Sequence, residues 1–395
     1  MESEGDEASH QHPKRNKPTS SAPFSSTSVQ DSSSEFPVLP ADLISEILFK
    51  LPVKSHLKFK SVSKSWLGLI SSPKFVKSHI NISSDNNSLL YDHVTKAIDF
   101  DFPPNKSNKS SIKAVGSANG LIYVVLGHSD LFLWNPSIRK FKKLPSPRIV
   151  FLYMYGFGYD ELNADYKVVC LTQKVYDDDS RYNVDKIYSL NNNSWKRLDE
   201  FRIGKLSNQT GMFVNGKLRW ENTTKHFGCY SDWDVIFIDL ADGRWGEMEK
   251  PFYSEGKLRF EPCLGVLEND LSMLCHHLGS HADVWVMKEY GVKESWTKMF
   301  IIKYPYDNMG YSVFGPPFCM SSEGEILFRN DSVFMIYNPN DDSIRFPKVS
   351  NFGPLVEATL YIESLVWLFV ANGTTNATTS KDTKFTDEDI RVINK

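Results

Sequence analysis

The chain has 395 residues, is 41% hydrophobic and 24% charged, and carries a formal net charge of −3. That length exceeds a single small module, and so small a net charge gives no general attraction to nucleic acid or anionic lipid. The longest apolar run, Leu365 to Ala371, falls far short of the roughly 20 residues a membrane-spanning helix needs.

The N-terminal stretch lacks an apolar signal core, and Cys170, Cys229, Cys263, Cys275 and Cys319 form no Cys-x-x-Cys pair. Both features fit reduced thiols in the cytoplasm or nucleus. Residues 1–35 are polar with only isolated apolar side chains, too few to offset the entropy of ordering, and are expected to be a disordered tail.

From residue 36 to 80 the texture becomes helical. Leu43, Ile44, Ile47, Leu48 and Leu51 form an apolar stripe between Pro40, placed where a helix tolerates proline, and Pro52, which ends it. A second helix is expected over 55–60 with Leu57 inward. A third is expected over 63–70, capped by Ser63 and presenting Trp66, Leu67, Leu69 and Ile70, followed by one more turn from Pro73 with Phe75 and Val76. So small a unit is marginal alone. It carries seven lysines against Asp42 and Glu46, which calls for an acidic partner.

Beyond residue 85 β-branched and aromatic runs alternate with Asn, Asp and Gly turns. A strand, polar turn, aromatic and short strand recur, with the aromatics at Phe141, Trp195, Trp245, Trp296 and Phe346 separated by 54, 50, 51 and 50 residues. Turn pairs at Asn119-Gly120, Asn215-Gly216, Asn269-Asp270 and Glu323-Gly324 keep the same register, and Tyr166 to Leu171 fills the gap between the first two. A period near 50 with several strands per unit is the kelch-like signature of a β-propeller of four-stranded blades. Five repeats are visible, and a sixth blade is expected from Ala358–Phe369 paired with strands near Ser88–Phe102. The propeller then spans 85–370, followed by a tail over 371–395. The repeated aromatics are expected to pack between blades and touch no ligand.

Leu39 to Ile70, beginning Leu-Pro-Ala-Asp-Leu-Ile-Ser-Glu-Ile-Leu and reaching Trp66, resembles the F-box. Gly116-Ser-Ala-Asn-Gly, Leu133-Trp-Asn-Pro-Ser, Gly156-Phe-Gly-Tyr-Asp, Asp165-Tyr-Lys-Val-Val and Tyr337-Asn-Pro resemble the F-box-associated or kelch-type domain of the large plant branch of that family. His56 stands where the family usually has an aliphatic residue, and Arg219-Trp220 where it has an aromatic or His-Trp pair. The resemblance implies a mainly β protein with a small three-helix α domain. It implies a non-catalytic substrate receptor of a Skp-type adaptor, cullin and RING ubiquitin ligase, the propeller holding an unknown target protein. Leu39, Pro40, Ile44, Ile47, Leu48, Leu51 and Pro52 are the expected anchors in an adaptor groove, joined by Leu57 and Trp66.

Two other readings stand beside this one: a free-standing propeller scaffold that binds peptides, and a propeller hydrolase. No Gly-x-Ser-x-Gly, Walker or His-Glu-x-x-His motif occurs, and Asp239 to Trp245 reads as a blade turn. Asp177-Asp178-Asp179 lacks the glycine and terminal glutamate of a calcium loop. Cys275-His276-His277 with His281 and Asp283 is the one soft-ligand cluster. Consecutive residues on a strand face opposite ways, so a hairpin with a polar tip is expected there, with no metal and no cofactor. Target recognition is assigned to loops such as 177–182, 223–232 and 276–281.

Overall fold

A computed structural model of the chain describes residues 39–85, 112–127, 130–148, 154–172, 185–199, 205–206, 209–223, 233–251, 262–277, 280–303, 314–321, 323–330, 333–347 and 359–367. The chain divides into two compact units, residues 1–45 and 46–395. The described part of the first is Leu39, Pro40 and the opening half of helix α1 (Ala41–Phe49). Its first turn is closed by Ile44 N–H donating to the Pro40 carbonyl at 3.1 Å.

The second unit continues with α2 (Val53–Phe59), α3 (Lys64–Ser71) and α4 (Pro73–Asp85). Ser63 caps α3 as its position predicts, accepting from Trp66 N–H at 3.1 Å, and Ser72 caps α4 by accepting from Phe75 N–H at 3.2 Å. The expected single turn after Pro73 is instead a fourth helix of 13 residues. Phe75, Val76, His79 and Ile80 give it a buried face, so packing sustains it beyond the turn its caps alone would hold.

His56, not Leu57, is the inward residue of α2. Leu57 is exposed and His56 fully buried, its Nε2–H donating to the Leu48 carbonyl at 2.6 Å and its ring meeting Phe75 edge-on at 5.5 Å. His79 sits perpendicular to it at 4.7 Å and reaches the Leu51 carbonyl at 3.2 Å. The two imidazoles thus supply donors to carbonyls at and just beyond the end of α1, that of Leu48 also accepting from Leu51 N–H at 3.0 Å. The helix packs tightly around a polar residue in an aliphatic position.

The propeller shows five antiparallel sheets among the described residues. The first blade is β1 (Ile112–Ala118), β2 (Leu121–Leu126), β3 (Asp130–Asn135) and β4 (Lys140–Lys143). The second is β5 (Met154–Asp160), β6 (Asp165–Leu171), β7 (Lys186–Ser189) and β8 (Ser194–Arg197). The third joins β10 (Met212–Val214), β11 (Lys217–Thr223), β12 (Trp233–Asp239) and β13 (Trp245–Met248), with β9 (Lys205–Leu206) also pairing to β11. The fourth is β14 (Cys263–Leu267), β15 (Asp270–His276), β16 (His281–Met287) and β17 (Trp296–Lys303). The fifth is β18 (Pro317–Met320), β19 (Ile326–Asn330), β20 (Val333–Asn338) and β21 (Ser343–Arg345).

Each repeat of the sequence is one blade, and in the first, third and fifth blades the turn pair lies between the first two strands. Asn119 and Gly120 take φ of 51° and 80°, and Asn215 and Gly216 take 48° and 71°, the left-handed pairs that a two-residue hairpin needs. The first strands of successive blades adjoin in chain order, β1 to β5 to β10 to β14 to β18. Apolar cores fill the seams: Val169, Ile187, Leu218 and Trp220 between the second and third blades, Val235, Leu264 and Met273 between the third and fourth, and Val284, Ile302, Phe328 and Met335 between the fourth and fifth. Gly158 lets two blades meet, since a Cβ there would lie 2.2 Å from a ring carbon of Phe213.

Five blades rather than the expected six are seen among the described residues. Residues 359–367 form no strand, and Ser88–Phe102 lies outside the described residues. Instead the segment docks on the first blade. Tyr361 enters a core with Ile122, Val124, Phe132 and Trp134, and Asn135 Nδ2 donates to the carbonyls of Ser364 at 3.1 Å and Val366 at 2.7 Å. Ser364 Oγ donates to the Asn119 carbonyl at 2.8 Å. It lies so close that a Cβ on Gly120 would stand 2.2 Å from that Oγ.

Candidate functional site

The apolar stripe of α1 splits by exposure. Leu43 and Ile47, four residues apart and so on one helical face, are exposed, while Leu48 is 1% exposed. Ile44 and Leu51 are half-buried, and Leu39, Pro40 and Pro52 are exposed. Leu48 differs from the rest of the expected set in being buried, as Val53, His56 and Phe75 are. In the following helices Leu57 and Leu67 are exposed, and Trp66 is half-buried against Phe59 with ring centroids 5.3 Å apart. Val62, in the turn before α3, is also exposed and was not singled out by helical spacing, because it lies in no helix.

Six of the eleven exposed large hydrophobic residues described fall between residues 39 and 67: Leu39 and Leu43 in the first unit, and Ile47, Leu57, Val62 and Leu67 in the second. The same stretch and α4 carry the seven lysines, all exposed except the half-buried Lys60, whose ammonium is held below its ordinary range by burial.

Several carboxylates of the propeller hold its turns. Asp165 accepts from Ser189 Oγ at 2.6 Å and Asn191 N–H at 2.8 Å, and pairs with Lys167 Nζ at 2.8 Å. Asp160 holds Asn163 through N–H at 3.1 Å and Nδ2 at 2.7 Å. Asp239 closes the β12–β13 turn by accepting from Ala241 N–H at 3.0 Å, the blade-turn role read from its sequence. The thiols of Cys170 and Cys275 are fully buried. Burial pushes Cys170 up to about 12 and Cys275 well up as well, so neither is a thiolate at neutral pH.

Arg219 and Trp220, where the chain departs from the family pattern, are both fully buried. Arg219 Nη1 donates to the Val214 carbonyl at 2.7 Å and the Lys217 carbonyl at 2.9 Å, gripping the Asn215-Gly216 turn, and its guanidinium lies 4.5 Å from the Tyr290 ring centre. Burial lowers it to about 9, against the pull of Asp239. Near Tyr290, Phe237, Met248 and Lys293 line a cavity of about 570 Å³ between the third and fourth blades. Of the loops assigned to target recognition, 177–182 and 224–232 lie outside the described residues, as does the run Asp177-Asp178-Asp179. The loop 276–281 is described only in part.

The F-box domain family matches residues 36–78, and the F-box associated beta propeller domain family matches residues 69–366. The chain belongs to the F-box proteins that carry this propeller. It is 29% identical over 364 residues to the F-box/kelch-repeat protein At3g23880 of Arabidopsis thaliana, covering 83% of this chain and 95% of that one. It is 26% identical to the F-box protein CPR1 (83% and 88% covered) and 29% identical to the F-box protein At4g22390 (87% and 94%), both of the same plant.

Proposed function

We propose that the protein is the substrate-recognition subunit of a Skp-cullin-F-box ubiquitin ligase, non-catalytic itself, docking on a Skp-type adaptor through the F-box and presenting a target protein from the propeller in the cytoplasm or nucleus. The observation that carries this reading is the concentration of exposed apolar side chains at 39–67, six of eleven among the described residues, in the stretch that matches the F-box. Obligate contact surfaces are apolar at their centres, and the lysine surround selects an acidic partner.

Calorimetry with a purified Skp-type adaptor tests it. The full chain should bind, and a Leu39→Ala, Pro40→Ala double variant should weaken binding by about 1–4 kcal/mol, the range of interface anchors. A chain that stays monomeric and indifferent to the adaptor would favour the free-standing scaffold instead.

A further inference from the structure

The alternation expected along β15 holds for His276, whose ring crosses to the Phe314 carbonyl at 2.9 Å. The hairpin, however, returns two further ligand-type residues to the side of His277. His277 N–H donates to the His281 carbonyl at 2.8 Å, which sets the two histidines opposite each other at the neck of the β15–β16 hairpin. Their imidazoles lie nearly parallel, with centroids 4.4 Å apart. Asp283 follows two positions along β16, so its carboxylate shares the face of His281. It lies 3.0 Å (Oδ2) from His277 Nε2 and 3.4 Å (Oδ1) from His281 Nε2. One ligand atom from each of the three residues falls within 4.8 Å of the other two.

From this geometry we propose that His277, His281 and Asp283 bind a zinc-class divalent cation, with two imidazole nitrogens and one carboxylate oxygen as protein ligands and water at the fourth position. Two nitrogens and an oxygen suit zinc, which binds each at about 2.0–2.2 Å. Tetrahedral ligands at that radius stand about 3.4 Å apart, so the observed separations need only side-chain adjustment.

The surroundings fit the role. Lys298 Nζ holds Asp283 Oδ2 at 2.7 Å, while Oδ1 accepts no hydrogen bond among the described residues although it is buried. One oxygen is thus anchored and the other left for a cation. Ser280 Oγ lies 2.8 Å from His281 Nδ1 and can accept an Nδ1 proton there, the arrangement that leaves Nε2 for a metal. His277 donates its Nε2–H to Asp283 Oδ2 at 3.0 Å; for a cation to bind at Nε2 that proton moves to Nδ1, which keeps the imidazole neutral. The Lys298 ammonium opposes a second positive charge, so moderate affinity is expected. Bound metal would tie β15 to β16 at the open end of the fourth blade.

The test uses untagged full-length protein freed of metal by chelator, titrated with cobalt(II) and then zinc. One equivalent of cobalt should give tetrahedral visible bands that zinc abolishes, and zinc should raise Tm. His277→Gln and His281→Gln should each weaken binding by roughly tenfold or more, the scale of a perturbed ligand sphere. His281→Cys should restore it with a sulfur charge-transfer band. His281 is partly exposed, so its variants should fold even if those of His277 do not. Absence of saturable binding, or binding unchanged in His281→Gln, overturns the proposal.

Discussion

Trp296 donates its indole N–H to the carbonyl of Glu249 at 3.1 Å, reaching from the outer strand of the fourth blade to the residue just past the outer strand of the third. Trp245 does the same to Asp199 at 3.0 Å, and Trp195 to Pro145 at 2.8 Å. The 50-residue period therefore carries three like latches, which pin the second, third and fourth blades each to the one before. Phe141 and Phe346 occupy the same repeat position without an N–H to give. Phe141 packs on Phe132, and Phe346 is exposed, so packing between blades holds for the tryptophans and not for that last phenylalanine.

Replacing Trp296 by Phe keeps an aromatic ring and removes the donor, which should cost about 1 kcal/mol, with a little more for the stranded carbonyl. The three Trp→Phe changes share no partner and should add nearly linearly. Thermal melts of the single and triple variants check this, and equal Tm for all of them would mean that the latches contribute nothing.

A second consequence concerns acid. Burial brings His56 down to about 4 from an ordinary 6.5, outweighing the Leu48 carbonyl that favours its protonated form. The unfolded chain therefore binds a proton that the folded one refuses. The stability this neutral His56 provides is complete above pH 6.5 and is lost as pH falls from there toward 4. His79, also lowered chiefly by burial, adds in the same direction. Helical ellipticity followed from pH 8 to pH 4 should show the loss, and His56→Leu should flatten it. A wild-type curve level across that window would contradict the assignment.

How far the sequence could be read follows from what each pattern encodes. The repeat located the blades because strand, turn and tryptophan recur at one spacing, and Asn-Gly pairs announce left-handed turns directly. Exposure within the F-box was less legible. Periodicity places Leu43, Ile44, Ile47 and Leu48 on neighbouring sides of a helix, but which of them faces α2 and α4 depends on partners that spacing does not name. His56 was legible as a departure, not as a core residue, since its burial depends on the carbonyl of Leu48. The His277, His281 and Asp283 cluster needed the hairpin register. Alternation along one strand argues against ligation by neighbours and is silent about the strand that comes back.

Leu48 and Ile47 are adjacent and should fail in opposite ways. Leu48→Ala opens a cavity in the helical core and should cost about 2–5 kcal/mol of stability. Ile47→Ala removes exposed side chain, should leave Tm within about 0.5 kcal/mol of wild type, and should instead weaken adaptor binding. Paired melts and calorimetry on the two variants separate the roles. A stable Leu48→Ala protein that loses the adaptor would reverse the assignment made from burial.

The final prediction is about the return of the chain to the first blade. Asn135 spends its amide on two carbonyls of the 359–367 segment while its Oδ1 accepts from Ser137 N–H at 2.9 Å, so the Asn-Pro-Ser motif is at once a turn and a clasp. Asn135 and Ser364 are fully buried, and Asn135→Ala would leave two buried carbonyls without that donor, at about 1–3 kcal/mol each. Gly120→Ala should be worse than its missing hydrogen suggests, since a Cβ would meet Ser364 in a backbone that already has φ of 80°. Deleting everything from Pro354 onward removes the segment, uncovers Ile122, Val124, Phe132 and Trp134, and should cause aggregation. Ending the chain at Asn372 retains it and should leave Tm and solubility unchanged. If the chain lacking everything from Pro354 onward melts and dissolves like the full chain, the clasp is not what secures the first blade.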